Sequence, residues 1–356
     1  MRRVFISMAG WTLIAGVTVG SLTVATAQVG STSKTESIEN RFAKAFESED
    51  YAEMIASGLE LSRLSPNDAH LQYLLALAYV SQGDNESAIK HLKKCAKDGY
   101  RNIGPSRKWE KFSALKSNPE FEKTLSVIRD NRTKGWEAFT TEAKSKEPLV
   151  IIPPNYSEDA VVPMLIVVHD RGGSPEGIAE LFREPAKRLG ALLVAPRSTH
   201  TAKDGEQSWG DTYGWRFRRE AVFEAVFVVL NAAEHVAQKY SVDGEKIFVA
   251  GFSQGADVAI WATAFQGNII RGVLAIGPRD YQLFERYRGS IRPQPNRFYL
   301  LVGEKDERLT DCLQLEDQIL GANMPVKVKV LDGLGHEISK AQTDAITEGL
   351  EYLMDR

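Results

Sequence analysis

Residues 251 to 255 read Gly-Phe-Ser-Gln-Gly, directly after the apolar run Lys246 to Ala250 and directly before the helix-like stretch Ala256 to Ala264. Small residues around a serine, in a strand-turn-helix setting, permit a sharp turn that lifts one hydroxyl clear of the backbone. A serine forced into such a turn is costly unless it is used. A hydroxyl is a weak nucleophile by itself; it needs a base, and the base needs an orienting acid. Both follow along the chain. Asp306 lies in Leu301-Val-Gly-Glu-Lys-Asp306-Glu-Arg, just past an apolar run, and His336 in Leu331-Asp-Gly-Leu-Gly-His336-Glu, just past the last one. Gly333 and Gly335 make that last loop able to swing the ring inward. Asp311 and Asp332 are alternative carboxylates, and Asp306 also reads as a cap for a helix beginning near Leu309.

Serine, then acid, then histidine, together with the Gly-x-Ser-x-Gly, Gly-x-x-Asp and Gly-His turns, resembles the α/β-hydrolase superfamily from residue 148 to the end. The pattern is most similar to the small esterases grouped with carboxylesterase/phospholipase and polyhydroxybutyrate depolymerase-like enzymes, whose nucleophile also sits in Gly-Phe-Ser-Gln-Gly. The resemblance implies that Ser253 is the nucleophile, His336 the general acid/base and Asp306 the carboxylate that orients the imidazole. It implies further that backbone N–H groups of Gln254 and Arg171 hold the oxyanion, the latter from Val168-His169-Asp170-Arg171-Gly172-Gly173-Ser174. Asp170 departs from the family's pattern, which has glycine there. The implied activity is hydrolysis of a small-molecule or polymer ester through an acyl-enzyme, with no metal or other cofactor. Two alternatives stand beside it: a peptidase of the same fold, since the same three residues serve amide cleavage, and a non-catalytic binding protein that uses its N-terminal helices.

Elements that could position these residues are visible from Pro148 onward, where short apolar runs alternate with helical stretches. Strands are predicted at Leu149 to Ile152, Met164 to His169, Ala191 to Ala195, Lys246 to Ala250, Ile270 to Ile276, Phe298 to Val302 and Val326 to Leu331. Helices are predicted at Glu176 to Leu189, Phe217 to Tyr240, Gln254 to Phe265, Leu309 to Gly321 and Lys340 to Met354. Continuous apolar strands between helices predict an α/β fold, a doubly wound and mainly parallel sheet covered on both faces. Such sheets place their chemistry at the carboxyl ends of the strands.

The chain ahead of this domain divides into three. Met-Arg-Arg, an uncharged apolar run from Val4 to Val24 and Ala25-Thr-Ala27-Gln28 read as a signal peptide over 1–27, cleaved after Ala27. The protein is then exported, periplasmic or secreted; an uncleaved membrane anchor is the alternative, because the run is long. Residues 28–35 read as a polar linker. Residues 36–143 have helical periodicity, and Glu49-Asp-Tyr-Ala-Glu-Met-Ile and Gly83-Asp-Asn-Glu-Ser-Ala-Ile stand 34 residues apart. Leu75, Ala76, Tyr79, Gly83, Ala88 and Cys95 fall where a tetratricopeptide repeat has its large, small, aromatic, turn and small residues, and Pro66 closes the preceding unit. This all-α region therefore resembles about two tetratricopeptide repeats, which bury too little surface to stand alone comfortably and imply a protein partner or the next domain. Residues 144–356 are the expected catalytic domain.

Lys and Arg number 44 against 47 Asp and Glu, with no long basic stripe, which argues against nucleic acid as a partner. Cys95 and Cys312 read as two lone core thiols, and the absence of paired Cys or His spacing predicts no metal site. His70, His91 and His235 read as surface or packing residues of helices, while His200, in a loop, carries no assignment. Gln207-Ser-Trp209-Gly-Asp-Thr-Tyr213-Gly-Trp215 is an aromatic, glycine-rich loop near a strand end, so Trp209, Tyr213 and Trp215 are candidate substrate contacts. Simple packing of the tryptophans beneath the loop explains them equally well.

Overall fold

A computed structural model describes residues 33–101, 110–201, 213–215, 221–280, 282–287, 289–291 and 294–354. The predicted signal peptide, residues 28–32 of the predicted linker and Trp209 lie outside the described residues. Contacts divide the chain between Ala138 and Phe139 into two compact units.

The first unit is helical, with helices Ser33–Glu47, Tyr51–Leu64, Ala69–Ser81 and Asn85–Lys97, each packed on the next, and the start of the long helix Pro119–Ser145. The first helix begins inside the predicted linker, where Glu36 in its first turn favours the positive end of the helix dipole. The sequence repeat is also a repeat of backbone. Glu49 and Gly83 both have positive φ, 54° and 83°. The next residues, Asp50 and Asp84, both cap a helix, accepting the N–H of Glu53 and Ser87. Leu75, Ala76, Ala88 and Cys95 are buried, as the periodicity predicts, and Tyr79 packs partly buried against them.

The second unit is built on a seven-stranded sheet. Its strands are β1 Leu149–Ile151, β2 Val162–Val168, β3 Leu192–Ala195, β6 Val242–Phe252, β7 Gly272–Ile276, β8 Arg297–Gly303 and β9 Val326–Leu331. The order across the sheet is β1-β3-β2-β6-β7-β8-β9, parallel except for the β1 edge. A separate two-stranded pair joins β4 His200–Thr201 to β5 Tyr213–Gly214. All five residues from Met164 to Val168 are buried, as a strand covered on both faces requires. Leu165, Val167, Phe248, Ala250, Leu274, Ile276, Tyr299 and Leu301 share one core with helices Pro175–Arg188 and Thr343–Met354. The opposite face packs against helices Ala221–Lys239, Gln254–Phe265 and Leu309–Gly321. Cys95, in the first unit, and Cys312, in the second, are both buried and unpaired, and burial raises both thiol pKa values, that of Cys312 to about 12. Among the described residues no helix is long and apolar enough to cross a membrane.

Candidate active site

β6 ends at Phe252 and the helix Gln254–Phe265 begins two residues later, so Ser253 alone makes the turn. Its φ of 56° and ψ of −120° lie in a region disfavoured for any residue with a Cβ. The neighbouring glycines are a steric necessity. A Cβ on Gly251 would lie 2.3 Å from the carbonyl oxygen of Gly255, and one on Gly255 would lie 2.1 Å from that of Val168. The Ser253 N–H donates to the Ile276 carbonyl at 2.8 Å, tying the turn to the end of β7.

Because β2, β6, β7, β8 and β9 run parallel, the loops that follow them all open on one edge of the sheet. Asp306, in the loop after β8, has a side chain only 2% exposed, and its Oδ2 lies 2.7 Å from His336 Nδ1. His336, in the loop after β9, places Nε2 3.0 Å from Ser253 Oγ. The imidazole is stacked on Phe252, ring centroids 4.9 Å apart. Gly277, with φ 58°, leaves room beside it: a Cβ there would stand 2.9 Å from His336 Cε1. The three residues singled out from sequence order are thus brought together. Asp306 does not cap the following helix, whose N-cap is Arg308 with no side-chain capping bond; its Oδ1 instead accepts the Arg308 N–H at 2.9 Å and closes the turn that leads into that helix. Of the alternative carboxylates, Asp332 is exposed and Asp311 lies 3.8 Å from Arg279.

Gln254 contributes its side chain as well as its position. The Trp215 N–H donates to Gln254 Oε1 at 2.8 Å, and Gln254 Nε2 donates to the Trp215 carbonyl at 2.6 Å. Trp215 is buried, stacks on His169 with centroids 5.0 Å apart, and donates its indole N–H to the His169 carbonyl at 2.9 Å. It therefore braces the loop after β2 from beneath, which is the packing explanation of this tryptophan; Tyr213 contributes backbone to β5. Burial lowers the His169 pKa to about 4, so this ring is neutral. In the same loop Arg171 is exposed and Gly172 has φ 80°. Asp170, the departure from the family pattern, folds over Gly173, where a Cβ would stand 2.1 Å from its Oδ1. Burial raises the Asp170 carboxyl pKa, against opposing contributions from its own N–H and from His336.

Two charged residues of this edge were not singled out from sequence. Arg308 donates from Nη1 to Ser253 Oγ and to the Gly277 carbonyl, each at 3.0 Å. Asp257, one turn into the helix after Ser253, is buried and accepts the N–H groups of Arg279 and Asp280 at 2.8 and 3.0 Å. Burial raises its carboxyl pKa to about 7.

The family model described as phospholipase/carboxylesterase matches residues 148–354, more than half of the chain. The chain belongs to the phospholipase/carboxylesterase family. This hydrolase is similar in fold to esterase PE8, at 15% identity and a TM-score of 0.46, covering 58% of this chain and 99% of that one. It is likewise similar to a carboxylesterase from Mesorhizobium loti, at 16% identity and a TM-score of 0.46, covering 57% and 93%. The ferulic acid-bound Est1E of Butyrivibrio proteoclasticus aligns at 16% identity and a TM-score of 0.46, covering 58% and 93%. No curated protein sequence matches the hydrolase.

Proposed function

We propose that this hydrolase is an exported serine esterase that cleaves carboxylic esters through Ser253, His336 and Asp306. The observation that carries the reading is the continuous chain of contacts from Asp306 Oδ2 to His336 Nδ1, 2.7 Å, and from His336 Nε2 to Ser253 Oγ, 3.0 Å. With Nδ1–H donating to the carboxylate, Nε2 is left as the acceptor for the serine O–H, which is the tautomer that general-base catalysis needs. As the serine proton moves to Nε2, Oγ bonds to the ester carbonyl carbon and the carbonyl π pair becomes an oxyanion. Collapse of that intermediate breaks the carbon–oxygen bond of the alcohol, which leaves with the proton from His336. Water then repeats the sequence on the acyl-enzyme and frees the acid.

The oxyanion is assigned to the N–H of Gln254, the first of its helix and one with no partner inside it, and to the N–H of Arg171. The Ser253 N–H is committed to Ile276 and takes no part. Export rests on the leader sequence Met1 to Ala27. The helical unit is read as tetratricopeptide-like, with a protein partner as its implied ligand.

Purified protein should hydrolyse a short p-nitrophenyl ester and be labelled by a fluorophosphonate probe. Ser253→Ala should abolish both while keeping the melting temperature close to that of the parent. Turnover retained in that variant removes Ser253 from the nucleophile's role.

A further inference from the structure

Arg308 has more donors than the fold uses. Its Nη1 serves Ser253 Oγ and the Gly277 carbonyl, while its Nε is buried with no hydrogen-bond partner among the described residues. The guanidinium forms no ion pair with a carboxylate among the described residues, the buried Asp257 carboxyl feeling its charge only at longer range, and arginine stays charged at any working pH. Its place in the chain is also unfavourable. Arg308 is the N-cap of the helix Leu309–Gly321, where a cation opposes the helix dipole and where this side chain makes no capping bond. A half-buried cation at such a position, turned toward the nucleophile instead of solvent, leaves an electropositive spot beside Ser253.

We propose that Arg308 is a specificity residue that binds a carboxylate on the acyl part of the substrate, a deduction that rests on the esterase reading above. The sheet order puts the loop of Asp170, after β2, on one side of Ser253 and the loops of Gly277 and Arg308, after β7 and β8, on the other. The cation therefore serves the end of the substrate that lies toward β7 and β8. Arg308 touches Oγ, the atom that bonds the acyl fragment during acylation and holds it, after the alcohol has left, until water frees the acid, and this assigns the anion to the acyl fragment. With Nη1 3.0 Å from Oγ, a carboxylate two or three carbons beyond the ester carbonyl comes within reach of the guanidinium. The substrate class is the half-ester of a short dicarboxylic acid.

The test compares monoethyl glutarate with ethyl 4-carbamoylbutanoate, which has the same length and no charge, by pH-stat in wild type, Arg308→Gln and Arg308→Lys. Wild type should favour the charged ester in kcat/KM by about tenfold or more, the worth of one charge-assisted hydrogen bond. Arg308→Gln should lose that preference and Arg308→Lys keep part of it. An equal ratio in wild type, or a ratio unchanged in Arg308→Gln, overturns the assignment. Calorimetry with glutarate reads the anion site without turnover. Heat with wild type and none with Arg308→Gln supports the assignment, and no heat with wild type overturns it. Glutarate binding together with no hydrolysis of either ester counts against the esterase reading alone.

Discussion

The imidazole of His336 rests on the ring of Phe252, centroids 4.9 Å apart and planes 25° from parallel. The residue immediately before the serine thus sets the plane of the imidazole, the base of the proposed mechanism, whose Nε2 lies 3.0 Å from that serine's Oγ. Removing the ring frees the imidazole to tilt away from Oγ, and small misplacements of a catalytic group cost about tenfold to a hundredfold. Phe252→Ala should lower kcat by about that range with a smaller change in KM, and Phe252→Tyr should keep most of the rate. Steady-state kinetics on one neutral ester checks this; an unchanged kcat in Phe252→Ala refutes it.

Gln254 joins the elbow to the backbone of Trp215 through both of its polar side-chain atoms, and the Trp215 indole in turn holds His169 in the loop after β2. Gln254→Leu would leave the N–H and carbonyl of Trp215 without those partners, at about 1–3 kcal/mol for each group left buried and unsatisfied. Trp215 would then hold the His169 carbonyl less firmly, and Arg171, the second oxyanion donor of the proposed mechanism, sits two residues further on. The expected result is a lower melting temperature and a fall in kcat of about tenfold or more. A variant as stable and as fast as the parent would show that the clamp is idle.

Asp257 gives stability a pH dependence whose sign is set by burial. Its carboxyl is raised from an ordinary 3.8 to about 7. Below the ordinary value it is protonated in the folded and unfolded chain alike, so its contribution is fully present. As pH rises through 7 the folded state must ionise a buried acid, and stability falls by at most about 4 kcal/mol for a shift of this size. His169, held near 4, acts in the opposite sense as pH drops below 6.5, so only the difference between variant and parent isolates Asp257. Asn keeps an oxygen for the N–H groups of Arg279 and Asp280 but cannot ionise. Melting temperatures of Asp257→Asn relative to wild type should climb between pH 4 and 8, and parallel curves would contradict the assignment.

Periodicity located every strand of the seven-stranded sheet: the central strands are apolar runs buried on both faces, while β9, at the edge, alternates valine with lysine and has only partly buried or exposed residues. It missed the start of β6, four residues earlier at Val242, where Asp243-Gly-Glu reads as a turn yet Val242 pairs with Val162 across an irregular register. The two-residue strands β4 and β5 are too short to carry any alternation. The last helix begins at Thr343, after the short turn Lys340–Gln342 capped reciprocally by Ser339 and Gln342. Ser253, Asp306 and His336 were legible because glycine turns and chain order mark them. Arg308 and Asp257 were not, since no local pattern says which way a guanidinium points or how deeply one carboxylate sinks. Trp215 announced itself as an aromatic near the site, but only its burial and its bond to the His169 carbonyl distinguish a brace from a wall.

Each compact unit carries one sulfhydryl, sealed from solvent and held in its unreactive protonated form. An alkylating reagent therefore meets neither of them until the surrounding helices come apart. The rate at which Cys95 is modified clocks the opening of the amino-terminal unit and the rate at Cys312 that of the carboxyl-terminal one. The molecule thus carries two native, chemically separate gauges of whether its halves come undone together or in turn.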